Sequence, residues 1–150
     1  MRPSRPGFGG DDGNAIVEFV YLAVLLMVPL TYVLLTVFRV QAAAYAVSSA
    51  AREAGRVYAT SQSQEAAGPR AYAAASIVMQ DSNLTFPSRD LRISCSSIPC
   101  LTPGSQVDVV IDFQVPLPWL PRLFDGRSAA SVGVSGRHLE VVDRYRESAR

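Results

Sequence analysis

Few side chains in this sequence could carry out catalysis. The chain has one histidine, His138, two cysteines, Cys95 and Cys100, and no lysine. The absence of lysine excludes a Walker-type phosphate loop, a Schiff-base enzyme and a Ser-Lys dyad. One histidine and two cysteines leave a tetrahedral zinc site short of its fourth ligand. A Ser-His-Asp triad would have to use His138, which we expect to be a lone surface residue instead.

Two aspartates are candidates for binding a cation. Asp108 and Asp112 are four residues apart in an alternating segment, which places both side chains on one face of a predicted strand. Further ligands are not evident in the pattern around them, and aspartates spaced in this way usually belong to a solvated face. We therefore expect a solvated face and no metal site.

The two cysteines enclose the residues Ser-Ser-Ile-Pro. Redox-active pairs have two intervening residues, and a metal site would lack its other ligands. Outside the cytoplasm, Cys95 and Cys100 are expected to form a local disulfide, and the alternative is two free, buried thiols. Because the closed loop is short, such a disulfide should contribute near the low end of the usual stabilisation of about 2–4 kcal/mol.

The elements that position these residues begin with an apolar segment. Hydrophobic residues form 49% of the chain and charged residues 18%, below the roughly 25% that is usual in soluble domains. Residues 19–38 carry no charge, and a helix of this length spans the hydrocarbon core of a bilayer. We therefore predict a single transmembrane helix over residues 14–38.

Two alternatives to a transmembrane helix are open. A core helix of a soluble domain is one, but so short a chain could not cover a helix that is apolar on all sides. A cleaved signal peptide is the other. Its apolar core would be shorter, at about 7–15 residues, and the helical pattern here continues past the small residues that could form a cleavage site.

An amphipathic helical pattern follows over residues 39–60. Small and apolar residues recur there at spacings of three and four, which predicts a helix with an alanine-rich stripe. The stripe comprises Val40, Ala43, Ala44, Val47, Ala50, Ala51, Ala54, Val57 and Tyr58. Because no Gly or Pro interrupts residues 30–54, we expect one continuous helix from Asn14 to Ala59. Small residues let a second helix approach closely, so the stripe could pack on another subunit or on the C-terminal domain of the same chain.

Residues 61–150 are predicted to form a small separate domain that begins with a helix. Gly68-Pro69 indicates a break and a restart of helical structure, because proline is favoured in a first helical turn. The residues that follow predict a second, shorter helix over residues 70–80.

Alternating apolar and polar residues predict the strands of this domain. Strands are expected from Leu91 and from Val107, and a last strand or strand pair over residues 130–142. The proline-rich segment around Trp119 cannot continue a central strand, because proline lacks the N–H group. The expected fold class is α+β, with a long N-terminal transmembrane and amphipathic helix packed on an antiparallel sheet of three or four strands.

Several stretches of the sequence resemble the TadE-like family of Tad/Flp pilus assembly proteins, which are pilin-like minor subunits. The matching stretches are residues 12–19 (DGNAIVEF), the Leu- and Val-rich span with Pro29, residues 39–54, the strand from Val107, residues 117–121 and residues 132–146. The resemblance covers most of residues 11–146, and its N-terminal part is the more specific half.

The resemblance implies processing and assembly, without enzymatic activity or a cofactor. A prepilin peptidase of the TadV kind would cut between Gly13 and Asn14, so that Glu18 becomes the fifth residue of the mature chain. An ionised carboxylate one residue before an uncharged span is costly. In an assembled helix bundle, Glu18 would neutralise the new α-amine of a neighbouring subunit, and the alternative is a side chain that snorkels to the membrane surface.

A location and a set of partners follow from the same resemblance. Residues 1–13 would be a cytoplasmic leader, in agreement with Arg2 and Arg5 before the span, and residues 61–150 would be extracytoplasmic. The implied partners are the prepilin peptidase, other pilin or pseudopilin subunits, Tad inner-membrane assembly proteins and the membrane. The net charge of +1 argues against a nucleic-acid partner. The alternative function is that of an uncleaved, membrane-anchored envelope binding or secretion-accessory protein.

Overall fold

The computed structural model describes residues 12–117 and 131–145, with backbone alone for residues 12–14. The elements are helix α1 (Asp12–Ala59), helix α2 (Gln64–Asp81), a 3-10 turn (Ser88–Asp90) and strands β1 (Leu91–Cys95), β2 (Gln106–Pro116) and β3 (Ser131–Val141). The α+β fold predicted from the sequence, a long N-terminal helix packed on a small antiparallel sheet, is confirmed. The chain divides into two compact units, Met1–Val37 and Phe38–Arg150.

The described residues of the first unit form the N-terminal part of α1. The helix continues through Pro29, and nearly all of its large apolar side chains are exposed, from Ile16 at 67% to Val37 at 45%. Its most apolar window has a mean hydropathy of 2.3 and contains no buried residue. Because the core helix of a soluble domain is mostly buried, this segment is not a core element of the described fold. It is long and apolar enough to cross a membrane.

The second unit contains a three-stranded sheet in the order β1-β2-β3, with both neighbouring pairs antiparallel. The central strand β2 alternates between buried and more exposed residues along its length, as the sequence predicted. Its buried side chains are Val107, Val109, Ile111, Phe113 and Val115. They form one core with the buried faces of both helices. We call this helix-covered side of the sheet the inner face and the opposite side the outer face.

The alanine-rich stripe of α1 is part of that core. Ala43, Val47, Ala50, Ala51 and Ala54 are at most 2% exposed within this one chain. The stripe therefore packs on the C-terminal domain of its own chain, which is one of the two partners that the sequence left open.

Helix α2 begins earlier than the sequence analysis predicted. Its N-cap is Ser63, whose hydroxyl accepts a hydrogen bond from the Ala66 N–H at 3.3 Å, and the helix continues through Pro69. The predicted break at Gly68-Pro69 is wrong because the capped turn and the apolar face on both sides of Pro69 outweigh one missing backbone hydrogen bond. That face consists of Ala67, Ala71, Ala75 and Met79, all fully buried.

Strand β3 is a single strand that pairs with β2 along its whole length. Gly136 lies at its centre, where the backbone of α1 crosses the inner face. A Cβ atom at Gly136 would lie 2.7 Å from the carbonyl oxygen of Val47 and 2.9 Å from the nitrogen of Ser48. Only glycine therefore permits this approach of helix to sheet. The proline-rich segment with Trp119 lies outside the described residues.

Candidate functional site

The bond predicted to be cleaved lies at the very start of α1. Gly13 and Asn14 are the second and third residues of the helix. In this first turn the backbone N–H groups have no carbonyl partners within the helix, and helix ends open readily. The Gly13–Asn14 bond is thus in the part of α1 that can most easily become extended. Arg2 and Arg5, which the sequence analysis placed in the leader, lie outside the described residues.

Glu18 lies about one turn further along the helix, and its side chain is exposed. Its neighbours Val17 and Phe19 are also exposed, at 66% and 72%. In the described part of the chain, no hydrogen bond or ion pair involves the Glu18 side chain. The nearest basic residue on the helix is Arg39, 21 positions later, or about 30 Å along the axis. A cationic partner for this carboxylate must therefore come from outside α1.

Cys95 and Cys100 are joined, with their sulfur atoms 2.11 Å apart and their Cα atoms 5.3 Å apart. The bridge connects the end of β1 to the loop that leads into β2. Ser105 donates a hydrogen bond from its hydroxyl to the Cys100 carbonyl, and the Ser96 N–H donates to the Gln106 carbonyl at 2.9 Å. The disulfide predicted from the sequence is thus confirmed, and the alternative of two free thiols is wrong.

The outer face of the sheet carries the two aspartates considered as cation ligands. Arg137 donates two hydrogen bonds to Asp108, at 2.8 and 2.9 Å, and lowers the pKa of that carboxyl. A hydrogen bond from Ser135, followed by the contact with Arg92, lowers the pKa of Asp112. No group of three or more potential metal ligands occurs among residues 12–117 and 131–145. Asp108 and Asp112 are therefore members of cross-strand ion pairs on a solvated face.

His138 points to the inner face at the C-terminal half of β3. Its Nε2 lies 3.0 Å from Glu140 Oε2, two residues along the same strand. A Cβ atom at Gly55 of α1 would lie 3.2 Å from the His138 ring and 3.4 Å from the Cβ of Glu140. The prediction of a lone surface residue is therefore wrong, although an i, i+2 spacing on a strand places two side chains on one face and could have indicated this pair. The ring is packed beside α1 and held by Glu140.

Comparison of the chain with protein-family models, with curated proteins and with solved structures found no match. The described features define a small disulfide-bonded α+β domain that follows a helix long and apolar enough to cross a membrane.

Proposed function

We propose that this chain is a TadE-like, pilin-like membrane protein that contributes to assembly of a Tad/Flp pilus, a relative of type IV pili. It acts as a minor pilin or pseudopilin, and a prepilin peptidase cuts it between Gly13 and Asn14. Its partners are other pilin or pseudopilin subunits and the Tad inner-membrane assembly proteins.

The exposed Glu18 at the start of the uncharged span carries this proposal. A carboxylate in lipid is far less costly when it is paired with a cation. Cleavage after Gly13 creates a cation at the same depth in a neighbouring subunit, namely the α-amine of Asn14.

The exposed apolar part of α1 supports anchoring in the plasma membrane. The Cys95–Cys100 disulfide supports an extracytoplasmic C-terminal domain, because disulfides persist in oxidising compartments. The leader, residues 1–13, is then cytoplasmic. After reduction of the disulfide on intact cells, a membrane-impermeant thiol reagent should label both cysteines. Labelling only after lysis would show the opposite orientation.

Replacement of Glu18 tests the assembly role. Glu18→Gln should leave expression, membrane insertion and cleavage intact, because the exposed side chain makes no hydrogen bond or ion pair within the described residues. A loss of about 1.4 kcal/mol would weaken each subunit contact about tenfold, so the number of pili should fall clearly. Pili are counted by electron microscopy, and cleavage is followed by sequencing of the mature N-terminus.

Two matched variants complete this test. Glu65→Gln neutralises an exposed carboxylate in the first turn of α2 and should leave pili unchanged. Gly13→Leu should block cleavage itself. Normal pilus numbers with Glu18→Gln would show that Glu18 only snorkels to the membrane surface. A mature chain that still begins at Met1 would favour the uncleaved envelope anchor.

A further inference from the structure

Helix α1 and strand β3 run side by side and in the same direction within the second unit. A Cβ atom at Gly136 would lie 2.7 Å from the Val47 carbonyl oxygen, and one at Gly55 would lie 3.2 Å from the His138 ring and 3.4 Å from the Cβ of Glu140. Between these two contacts α1 advances about 12 Å and β3 about 10 Å, at about 1.5 and 3.3 Å per residue. Because the two advances are nearly equal, a residue on α1 can be matched in level to a residue on β3.

The same spacing shows which end of the sheet lies beside Phe38, the first residue of this unit. Phe38 precedes Val47 by nine residues, or about 14 Å along the helix, and Val132 precedes Gly136 by four, or about 13 Å along the strand. Val132 is paired with Val115 near the end of β2. The end of β2 and the beginning of β3 are therefore level with Phe38.

This end of the sheet carries no charge. We call it the near end and define it as residues 115–117 and 131–133, which read VPL and SVG. Val132 is 37% exposed although it lies on the inner face, which α1 covers further along β3. The opposite end of β3 carries Glu140 instead. The two ends of the sheet thus suit different surroundings, and the near end is the less polar one.

Arg39 lies on α1 beside the near end. It shares one helix face with Ala43, Ala46 and Ala50, which follow it by four, seven and eleven residues. These three alanines are buried in the core, whereas Arg39 is exposed and forms no ion pair within the described part of the chain. Its guanidinium is therefore an unpaired cation, among the described residues, next to an uncharged surface.

Tyr45 is a second exposed side chain on this part of α1. It is 77% exposed and lies on the helix face opposite the buried alanines. Side chains on a helix lean toward its N-terminus, so the ring covers the preceding turn, about 5 Å from the level of Phe38. Tyrosine is enriched where a membrane meets water, because its ring is apolar and its hydroxyl is polar.

We propose that the near end, together with Arg39 and Tyr45, lies against the phospholipid headgroups of the membrane that α1 enters, an inference that rests on the proposed function for the anchoring itself. The uncharged residues 19–38 span about 30 Å, the thickness of the hydrocarbon core, so Phe38 lies at the edge of that core. Headgroups extend about 5–7 Å beyond this edge. Arg39, Val132 and the ring of Tyr45 all fall within that layer.

Each of these groups matches the chemistry of the headgroup layer. The Arg39 guanidinium donates hydrogen bonds to phosphate oxygens, which accept them in pairs. The Tyr45 ring packs among the headgroups while its hydroxyl stays hydrated. Val132 and the half-buried Leu117 face the upper part of the acyl chains. Because one cation and no anion is among these groups, the surface favours an anionic phospholipid over a zwitterionic one.

Fluorescent labels at three positions of one strand test this contact in the full-length chain. Chains with Ser131→Cys, Ser135→Cys or Leu139→Cys are labelled without reductant, so that the Cys95–Cys100 disulfide stays closed, and are reconstituted in vesicles of phosphatidylcholine and phosphatidylglycerol. The three positions lie on the outer face of β3, each about 13 Å from the next. A nitroxide on the lipid headgroup should quench the label at position 131 several-fold more than the label at position 139, with position 135 between them.

Charge reversal at Arg39 gives a second test. Arg39→Glu should lower the ratio of quenched to unquenched label at position 131 by about fivefold, which corresponds to about 1 kcal/mol for one arginine at an anionic surface. Arg52→Glu makes the same change at an exposed arginine about 20 Å further along α1 and should leave the ratio unchanged. Vesicles without phosphatidylglycerol should lower the ratio for the chain that keeps Arg39.

The other outcomes overturn the inference. Equal quenching at all three positions would show that the outer face of the sheet lies flat on the bilayer. Absence of quenching at position 131 would show that the near end stands away from the headgroups, and energy transfer between labels at this position on different chains would then identify a second copy as its occupant. Equal effects of Arg39→Glu and Arg52→Glu would show that Arg39 does not bind the headgroups.

A label in the apolar part of α1 separates this contact from the anchoring. Leu30→Cys lies midway along the uncharged span, and a nitroxide on the lipid acyl chains should quench a label at this position. If it does not, the anchoring is wrong and the headgroup contact is wrong with it. If it does while position 131 is not quenched by the headgroup nitroxide, only the contact is wrong and the proposed function stands.

Discussion

The close approach of α1 to β3 at Gly136 gives a test of the fold. We expect Gly136→Ala to destabilise the C-terminal domain although it adds only one methyl group. The new Cβ would lie 2.7 and 2.8 Å from the carbonyl oxygen and carbon of Val47 and 2.9 Å from the Ser48 nitrogen. All three are backbone atoms, so no side chain can rotate to make room, and α1 must move away from the sheet.

Gly133, on the same strand, is a matched control for the destabilisation expected of Gly136→Ala. Overpacking of a well-packed core costs about 1–3 kcal/mol, and a clash with the backbone of a helix belongs at the upper end. At Gly133 the added Cβ would lie 3.2 Å from the end of the Gln114 side chain, which can move. Replacing a strand glycine with alanine otherwise gains about 0.5–1 kcal/mol, so Gly133→Ala should be neutral or slightly stabilising.

Thermal unfolding of the full chain in detergent measures the difference. The change in the near-ultraviolet circular dichroism on heating reports loss of the packing around Tyr58 and Tyr72 of the domain. At about 4–8 °C per kcal/mol for a domain of this size, the melting temperature of Gly136→Ala should fall by roughly 10–20 °C. Val47→Ala should not rescue it, because the obstruction is the Val47 carbonyl. Equal melting temperatures for Gly136→Ala and Gly133→Ala, or rescue by Val47→Ala, would refute the close contact.

Two further predictions concern the disulfide and the outer face of the sheet. Non-reducing mass spectrometry should find a peptide with Cys95 and Cys100 that is two hydrogens lighter than its reduced form, and replacing both by serine should cost about 2 kcal/mol. Two free thiols in alkylated native protein would contradict this. The pKa values of Asp108 and Asp112 are lowered by their partners, so the stability they add is present above the unfolded value of about 3.9 and is lost as the pH falls through the lower folded values. Between about pH 5 and about pH 2, Asp108→Asn should therefore lose less stability than the unchanged chain. An identical loss of stability in the two proteins would show that the ion pair of Asp108 with Arg137 does not contribute to stability.

The sequence predicted the elements whose patterns are local. The alternation from Val107 to Val115 identified β2 because one side of that strand is fully buried. The three- and four-residue spacing of the alanines identified the C-terminal half of α1 for the same reason. In both cases a single face is buried, and the period of the buried residues is that of the element.

The errors and omissions concern features that depend on distant parts of the chain. Pro69 is tolerated inside α2 because the helix face is held by the core, and local propensity does not report that contact. The pairing of Asp108 with Arg137 depends on the register of β2 and β3, which a sequence separation of 29 residues does not fix. Gly136 could have been noticed as a glycine within a strand, a position that often marks a close backbone approach. Which backbone approaches it is visible only in the fold.

The alanine content of the core has a consequence for how this domain responds to sequence change. Buried alanines number six in α1 (Ala43, Ala46, Ala50, Ala51, Ala54 and Ala59) and three in α2 (Ala67, Ala71 and Ala75). An alanine scan would give no information at these positions, because they are already alanine. Replacement by glycine would remove only one methyl group from each. Larger side chains, however, would push the helices away from the sheet at every one of these sites. Saturation mutagenesis of this domain should thus show only a moderate loss of stability for glycine at these helix positions, about 1 kcal/mol, and a larger loss for bulkier side chains. The Val and Ile positions of β2 should instead be sensitive to loss of volume.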